Sequence, residues 1–410
     1  MPALESGVLT TSILPESHRI YYQSVLRDVL RAETIFAGLA REKVDFAAAR
    51  TRQMVFSKAH DLHPAIGQLV EAVPFVEGAY LDGSTITLTI SEHGNTIKTN
   101  TLQNLTSYWS EDFESLVREK LGRNLVESLE ILARNAFLTT SHLRYPGSVT
   151  SRANISRTDV FLPDYGDLSR TNLQSRNAVG LNGGEAPICI IHPRVGRDIR
   201  NAASSNWQDV KLYADPQAVI RGEVGMLDGV RYVQNNFCRL PNAGEMVAQT
   251  TLSSATVKGQ GGPNSDAQNK PKYVSVASTT NFAVGMEVTI HTASLGTAVL
   301  ETDEYAEHRV IIQVDSANSR LYFDRPLLVA HNAGDYVTEA RDLYASVMIG
   351  GPGLVFAVGL PPEVRVPPVI DDFSRIQRIS WYGIFDFHLI EDAFVEVWIT
   401  AASTANYGNA

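Results

Sequence analysis

The sequence predicts an α+β protein built from more than one compact body, and three observations carry this. Residues 113–136 place apolar side chains mostly four apart for about seven turns, the mark of a long amphipathic helix. Helical and strand-like segments alternate between residues 156 and 244, whereas residues 245–341 hold only short strand-like runs separated by turn residues. The chain also has 410 residues, beyond the roughly 250 to 300 at which a single hydrophobic core stops growing.

Residues 1–21 have no sustained periodicity and are expected to form an extended arm. In "YYQSVLRDVLRAETIFAGLA", Tyr22, Val25, Val29, Leu30, Ile35 and Leu39 recur mostly at three- and four-residue spacing, which predicts a first helix within residues 1–50. From Arg52 to Phe56 the period changes towards strand. The chain then makes a long excursion with two prolines and three glycines. It returns through "STITLTISEHGNTIKTN", where Ile86, Leu88 and Ile90 alternate ahead of a break expected at Gly94-Asn95. Residues 51–105 are therefore expected to be an extended, hairpin-like arm and its strands.

Residues 106–155 hold the long helix. Ser110 suits an N-cap, Glu111 and Asp112 put negative charge in the first turn, and Phe113, Val117, Leu121, Leu125, Leu129, Leu132 and Ala136 form the stripe. Residues 156–244 are the first part of an α/β body, and 342–375 are its second part. The small all-β module of 245–341 is inserted between them. Residues 376–410 carry the last two strands, "RISWYGIFDFHLI" and "AFVEVWIT", expected to return to the body of the long helix. Within the module, "GQGGPNSDAQNK" is expected to be a flexible linker, ordered only when neighbouring chains hold it.

With 35 basic against 45 acidic residues the chain is at −10, which argues against gripping nucleic acid through its phosphates. Two cysteines, Cys189 and Cys238, make no disulfide framework and fit a reducing compartment. No apolar run reaches the roughly 18 residues of a membrane span, and "MPALESGVLTTSILPESHR" lacks the pattern of a secretory signal, so synthesis in the cytoplasm is expected.

Chemistry is sparse. Cys189-Ile-Ile-His192 has the spacing of half a zinc site, but the second half is missing, and strand alternation sends the two side chains to opposite faces. His60-Asp-Leu-His63 is a similar lone pair in the irregular arm. "GQGGPNSD" lacks the Gly-Lys-Ser/Thr ending of a phosphate loop, and "GEVGMLDG" lacks the dinucleotide spacing. There is no Gly-x-Ser-x-Gly elbow and no His-Glu-x-x-His, and the carboxylates are dispersed. No catalytic, cofactor-binding or metal-binding residue is assigned, and no cofactor is expected.

The order of parts is more telling. An arm, a two-stranded excursion, a long helix, an α/β body and returning C-terminal strands together resemble the major capsid proteins of tailed bacteriophages, the coat proteins of short-tailed phages in particular. "EAVPFVEGAYLDGSTITLTISEHGNTIKT" is similar to that family's E-loop, with Phe75-Val76-Glu77-Gly78 at its tip and His93-Gly94 at the strand break. Ile191-His192-Pro193 with "RVGRDIRNA", "WQDVKLYADPQAVIRGEVGMLDGVRYVQNN" and "LYASVMIGGPGLVFAV" resemble its later segments in the same order, over about 300 residues. The module of 245–341 departs from the family, which usually connects directly there.

The resemblance implies an N-arm, an E-loop, a peripheral domain with a spine helix and an axial domain, in a subunit that forms hexamers and pentamers of an icosahedral head around double-stranded DNA. It implies contact with a neighbouring subunit through the E-loop residues Leu62, Ile66, Leu69, Val70, Phe75 and Tyr80. The implied partners are further copies of the chain, a separate scaffolding protein, a portal at one vertex and a decoration protein, with no membrane and no sequence-specific nucleic acid. The location implied is the virion, after assembly in the host cytoplasm. Some members of the family lock the E-loop by a lysine–asparagine bond, yet no lysine occurs between Ala59 and Ile97. A cytosolic α/β enzyme with a β insertion, or a tail or decoration protein, remains open on the residues alone.

Overall fold

A computed structural model of the chain describes residues 35–40, 42–46, 51–60, 62, 81–100, 113–178, 186–203, 208–209, 223–263, 265, 269–292, 303, 305–366 and 376–403. In chain order the first elements are β1 (Glu42–Asp45), β2 (Gln53–Ala59), β3 (Gly83–Thr89), β4 (Ser91–Asn100) and the helix α1 (Phe113–Phe137). Next come β5 (Leu143–Arg144), α2 (Pro163–Ser175), β6 (Ile188–Ile191), α3 (Pro193–Ala203), β7 (Gln208–Asp209), β8 (Glu223–Leu227), β9 (Val230–Gln234) and β10 (Arg239–Leu240). Six short strands follow: β11 (Met246–Thr251), β12 (Tyr273–Ser275), β13 (Glu287–His291), β14 (Glu307–Asp315), β15 (Arg320–Phe323) and β16 (Tyr336–Ala340). The chain ends with β17 (Leu343–Ile349), β18 (Leu354–Arg365), β19 (Ile376–Leu389) and β20 (Val395–Thr400). The protein is α+β, and it divides into two compact units. One comprises Met1–Ala133 with Leu354–Ile390; the other comprises Arg134–Gly353 with Glu391–Ala410.

The first unit holds a four-stranded sheet in the order β1-β18-β19-β4 and a separate two-stranded ribbon, β2-β3. The expected strand break is displaced. It falls at Ile90, a buried residue that packs with Phe46, Leu88, Val355 and Ala357, so that β3 pairs with β2 while β4 pairs with β19. Gly94 lies inside β4 opposite Tyr382, and a Cβ there would meet the Trp381 carbonyl oxygen at 2.8 Å. The glycine serves a close strand approach and not a turn, which is why its turn signal misleads.

The 25 residues of α1 extend about 37 Å at 1.5 Å per residue. Val117, Leu121, Leu125, Leu129 and Ala136 are buried and Leu132 is half-buried, as the stripe requires, whereas Ser110–Asp112 and the Phe113 side chain lie outside the described residues. Two polar residues on the helix are tied to other elements of the unit. Asn124 accepts hydrogen bonds from Trp381 Nε1 at 3.0 Å and Asn95 Nδ2 at 3.1 Å. Glu130, fully buried, accepts the Phe36 and Ala37 backbone N–H groups, each at 3.1 Å. These two amides start the 3₁₀ turn Ala37–Leu39, the described end of the segment expected to be the first helix.

The second unit is centred on an eight-stranded sheet in the order β5-β20-β17-β6-β9-β8-β7, with β10 also paired to β17. β6 and β9 are parallel, and the chain between them contains α3, β7 and β8. Strands β6, β17 and β20 are buried along their whole length, the pattern of strands covered on both faces. Leu173 of α2 and Val195 and Ile199 of α3 join Cys189, Ile191, Tyr232, Tyr344, Met348 and Trp398 in one core. The run "LYASVMIGGPGLVFAVGL" supplies β17 to this sheet and β18 to the sheet of the first unit. Its glycines sit where side chains would collide. A Cβ on Gly350 would meet the Ala178 Cβ at 2.9 Å, and one on Gly351 would meet the Phe394 ring at 2.7 Å. The last two strands likewise separate, β19 into the four-stranded sheet and β20 into the eight-stranded one.

Strands β11 to β16 pair in the order β11-β16-β13-β14-β15-β12. A bridge between Leu252 and Val276, flanked by hydrogen bonds from Ser253 N to Ser275 O at 3.0 Å and Ala277 N to Thr251 O at 2.8 Å, joins the two ends. The sheet is thus a closed small barrel filled by Val274, Val288, Ile290, Ile311, Leu321, Phe323 and Val337. Its entry and exit strands leave side by side, with Gly244 N donating to Arg341 O and Arg341 N to Glu245 O.

The glycine-rich segment of the barrel is tied into the fold where it is described, at 259–263, 265 and 269–270; residues 264 and 266–268 lie outside the described residues. Gly259 N donates to Leu327 O at 2.7 Å, Gly261 N to Pro271 O at 2.9 Å, and Leu327 N to Gln260 O at 2.8 Å. Ser265 is fully buried, with its Oγ donating to Gly259 O. Gly261 has φ +90°, and a Cβ on Gly262 would lie 2.3 Å from the Pro326 nitrogen. Glycine is required here for left-handed backbone and for close packing, not for mobility.

Candidate assembly surface

The ribbon is where the described residues are most exposed on both faces. β2 and β3 pair in unbroken antiparallel register from Gln53↔Thr89 to Ala59↔Gly83, and His60 N donating to Asp82 O extends the ladder outward. At the inner end Met54, Phe56, Ile86 and Leu88 turn to the core around Phe46 and Val355. Alternation sends Val55 the other way, 58% exposed. Beyond Phe56 the next three residues of β2 are exposed on either face, as are the first three of β3. Leu62 and Leu81, just past the strand ends, are 56% and 72% exposed.

Two strands alone are marginal in water, and the ribbon has no third strand along either edge among the described residues. Its arrangement of unpaired edges and outward apolar side chains is suited to being covered by another chain. Of the six expected contact residues, Leu62 is the one described, and it is exposed. Ile66, Leu69, Val70, Phe75 and Tyr80 lie outside the described residues. Val55 and Leu81 were not singled out by sequence. The signal available for Val55 was an apolar β-branched residue on the polar side of an alternating strand.

Among the described residues the chemical candidates do not assemble into a site. Cys189 is buried in the core and its thiol is pushed up by that burial, so it is held as an inert thiol. The His192 ring sits against Tyr344 with centroids 4.6 Å apart. Burial, with help from the Arg194 and Arg239 guanidinium groups, lowers its pKa to about 4. Of the second pair, His60 is exposed, while Asp61 and His63 are outside the described residues. Among the described residues no three His, Cys, Asp or Glu side chains converge in a way that could hold a metal ion. Among them also, no helix is long and apolar enough to cross a membrane.

Two of the buried carboxylates have structural partners. Glu396, fully buried in β20, pairs with Arg176 at 2.6 Å and Arg144 at 2.8 Å, and it accepts hydrogen bonds from Ser169 Oγ and Asn172 Nδ2. Trp398 Nε1 donates to the same Ser169 oxygen at 2.6 Å. In the barrel, Glu307 accepts the Leu328 amide at 2.8 Å and also the Val329 amide, and pairs with Arg309. Burial pulls its carboxyl up, but the hydrogen bonds and the Arg309 charge outweigh that and hold it below the usual range.

No protein-family model matches the sequence, and no curated relative does. Solved structures similar in outline include the capsid of Ralstonia phage GP4, at 13% identity, a TM-score of 0.49, and coverage of 87% of this chain and 85% of that one. The mature capsid of bacteriophage PhiM1 is similar at 11% identity and a TM-score of 0.48, over 89% of this chain and 86% of that one. An encapsulin complex from Synechococcus elongatus is similar at 9% identity and a TM-score of 0.43, over 93% and 92%.

Proposed function

We propose that the chain is a coat subunit, a major capsid protein that assembles into hexamers and pentamers of an icosahedral head enclosing packaged double-stranded DNA. The observation that carries this reading is the β2-β3 ribbon, anchored at one end in a core and exposing Val55, Leu62 and Leu81 at the other. Such a part acquires a function when a second subunit covers it. The order of elements around it supports the same reading: β1 precedes it, a 25-residue helix follows, and a mixed sheet with a barrel insertion comes after. In this role the excursion grips a neighbouring subunit through Leu62, Ile66, Leu69, Val70, Phe75 and Tyr80. A separate scaffolding protein, a portal and a decoration protein are the partners such a shell would use, and the virion is its location. The role is structural and asks no catalysis of the chain.

The test is particle formation. Expressed in bacteria with its scaffolding partner, the chain should yield closed shells in electron micrographs and a native mass in megadaltons. A native species of a few hundred kilodaltons or less under the same conditions would sink the reading and favour an α/β enzyme.

A further inference from the structure

Helices α2 and α3 lie side by side against one face of the eight-stranded sheet; the first turns of α2 expose aspartates and α3 exposes arginines, while Arg170 of α2, half-buried, is turned to the Asp228 carbonyl at 2.6 Å. On α2, Gly166, Ser169 and Leu173 are buried, leaving Asp164, Asp167 and Leu168 exposed at i, i+3 and i+4. Leu168 is 44% exposed. On α3, Val195 and Ile199 are buried, and Arg197 and Arg200 are exposed, with Arg194 half-buried on the same side. Arg194 donates to the Tyr344 hydroxyl and Arg200 to the Gly196 carbonyl, both neutral oxygens. None of these five charged groups has an ion pair among the described residues, although the chain as a whole carries 45 carboxylates. Guanidinium groups without an ion pair among the described residues, beside a helix face that exposes two aspartates and a leucine, are complementary to that face in charge.

Resting on the coat-subunit reading, we infer that the arginine face of α3 docks on the aspartate and leucine face of α2 of the next copy of this chain. The two patches differ, so the contact is heterologous. Repeated from copy to copy it runs in one rotational sense and closes into a ring. Arginine's planar fork suits paired carboxylates, and complementary potentials set the register and suppress wrong docking. A chain at −10 repels its copies, and this contact supplies a local attraction where they meet.

The full-length chain tests this by charge reversal. Arg197→Glu with Arg200→Glu should raise the protein concentration needed for assembly by about tenfold or more, as should Asp164→Lys with Asp167→Lys. The chain carrying all four changes should assemble again, because the attraction is restored with its signs exchanged. Thermal melts establish that each variant is folded. Asp164 sits in the first turn of α2, so if the double aspartate variant melts low, Asp167→Lys alone takes its place. Parental assembly should weaken in 0.5 M salt, at which the screening length is about 4 Å. An arginine-reversed chain that assembles at the parental concentration overturns the inference. So does loss of binding to a short DNA duplex with assembly unchanged, which would make the face a phosphate site. If the parental chain forms no shells but does form small salt-sensitive rings that reversal abolishes, the contact stands and the shell reading falls. A parent that stays monomeric at every salt concentration overturns both.

Discussion

If the chain is the coat subunit proposed, charging the exposed end of the ribbon should abolish assembly without unfolding the subunit. Fully burying a Val or Leu side chain stabilises by about 1.5 to 3 kcal/mol. The portions of Val55, Leu62 and Leu81 still open to solvent are 58%, 56% and 72%. Covering each by a neighbour therefore contributes about 1 to 2 kcal/mol, or about 3 to 6 kcal/mol together. That corresponds to roughly a hundred- to ten-thousandfold in the constant for one contact, and a closed shell makes the contact at every subunit. In Val55→Asp/Leu81→Asp the loss is at least as large, because a carboxylate must be desolvated on docking. The subunit itself should hardly notice. Both positions face solvent, so the thermal midpoint should stay near the parental value, within the range typical of surface substitutions. Light scattering against protein concentration, with micrographs of the end point, reads the first effect, and calorimetry reads the second. Full-yield shells from the double variant would refute the assignment of this ribbon to an interface. A large drop in melting temperature would refute the claim that its outer half is not part of the core.

Three other perturbations follow from particular contacts. Glu396→Ala leaves Arg176 and Arg144 beside an empty buried position and should destabilise the fold by about 3 kcal/mol or more; an effect below about 1 kcal/mol in denaturant titrations would contradict the structural role given to this network. His192, whose pKa falls to about 4, is neutral in the folded state at pH values where the unfolded chain is already protonated. Stability from this group is complete above about pH 6.5 and is lost as pH falls towards 4, so His192→Gln should flatten the stability profile in that window, and an unchanged slope would count against it. Mature particles boiled in detergent should run as one band near 45 kDa, since no lysine lies between Ala59 and Ile97 to form an isopeptide bond at the excursion; a ladder of reduction-resistant multimers would show covalent locking.

What the sequence could convey was whatever repeats along it. The α1 stripe was legible because burial on a helix recurs every three to four residues, and Val117, Leu121, Leu125 and Leu129 are buried. Glycines were legible as special positions but not as to cause. Gly94 read as a turn and the glycines at 259–262 read as a linker, yet Gly94 and Gly262 permit close approaches that depend on Trp381 and Pro326, far away in sequence. Alternation also cannot say where one strand ends and the next begins when both keep the same period, hence the break at Ile90 and not at Gly94. Glu396 stood alone in "AFVEVWIT" as a charge in a strand otherwise buried along its length. Its partners Arg144 and Arg176 are more than 200 residues distant, so nothing local announced them. The exposed end of the ribbon was partly legible, because Val55 breaks the polar side of its strand, but exposure itself is a property of the fold.

The barrel and the ribbon treat strand edges in opposite ways, and the contrast bears on function. In the barrel the Leu252–Val276 bridge joins the first strand to the strand at the far end of the sheet, so among the described residues the module offers no free edge for another chain to extend. Whatever it contacts must be met by side chains. The ribbon is left as two strands with apolar side chains turned outward, an arrangement that invites aggregation unless a specific partner occupies it. Its inner residues Met54, Phe56, Ile86 and Leu88 supply the anchorage that a free hairpin lacks, so the outer part can be held in place before any partner arrives. Pre-ordering of this kind lowers the entropy lost on docking and favours one register over others. In the proposed coat subunit the cost of an exposed ribbon is offset when subunits meet, the behaviour expected of a part whose stability is completed by assembly.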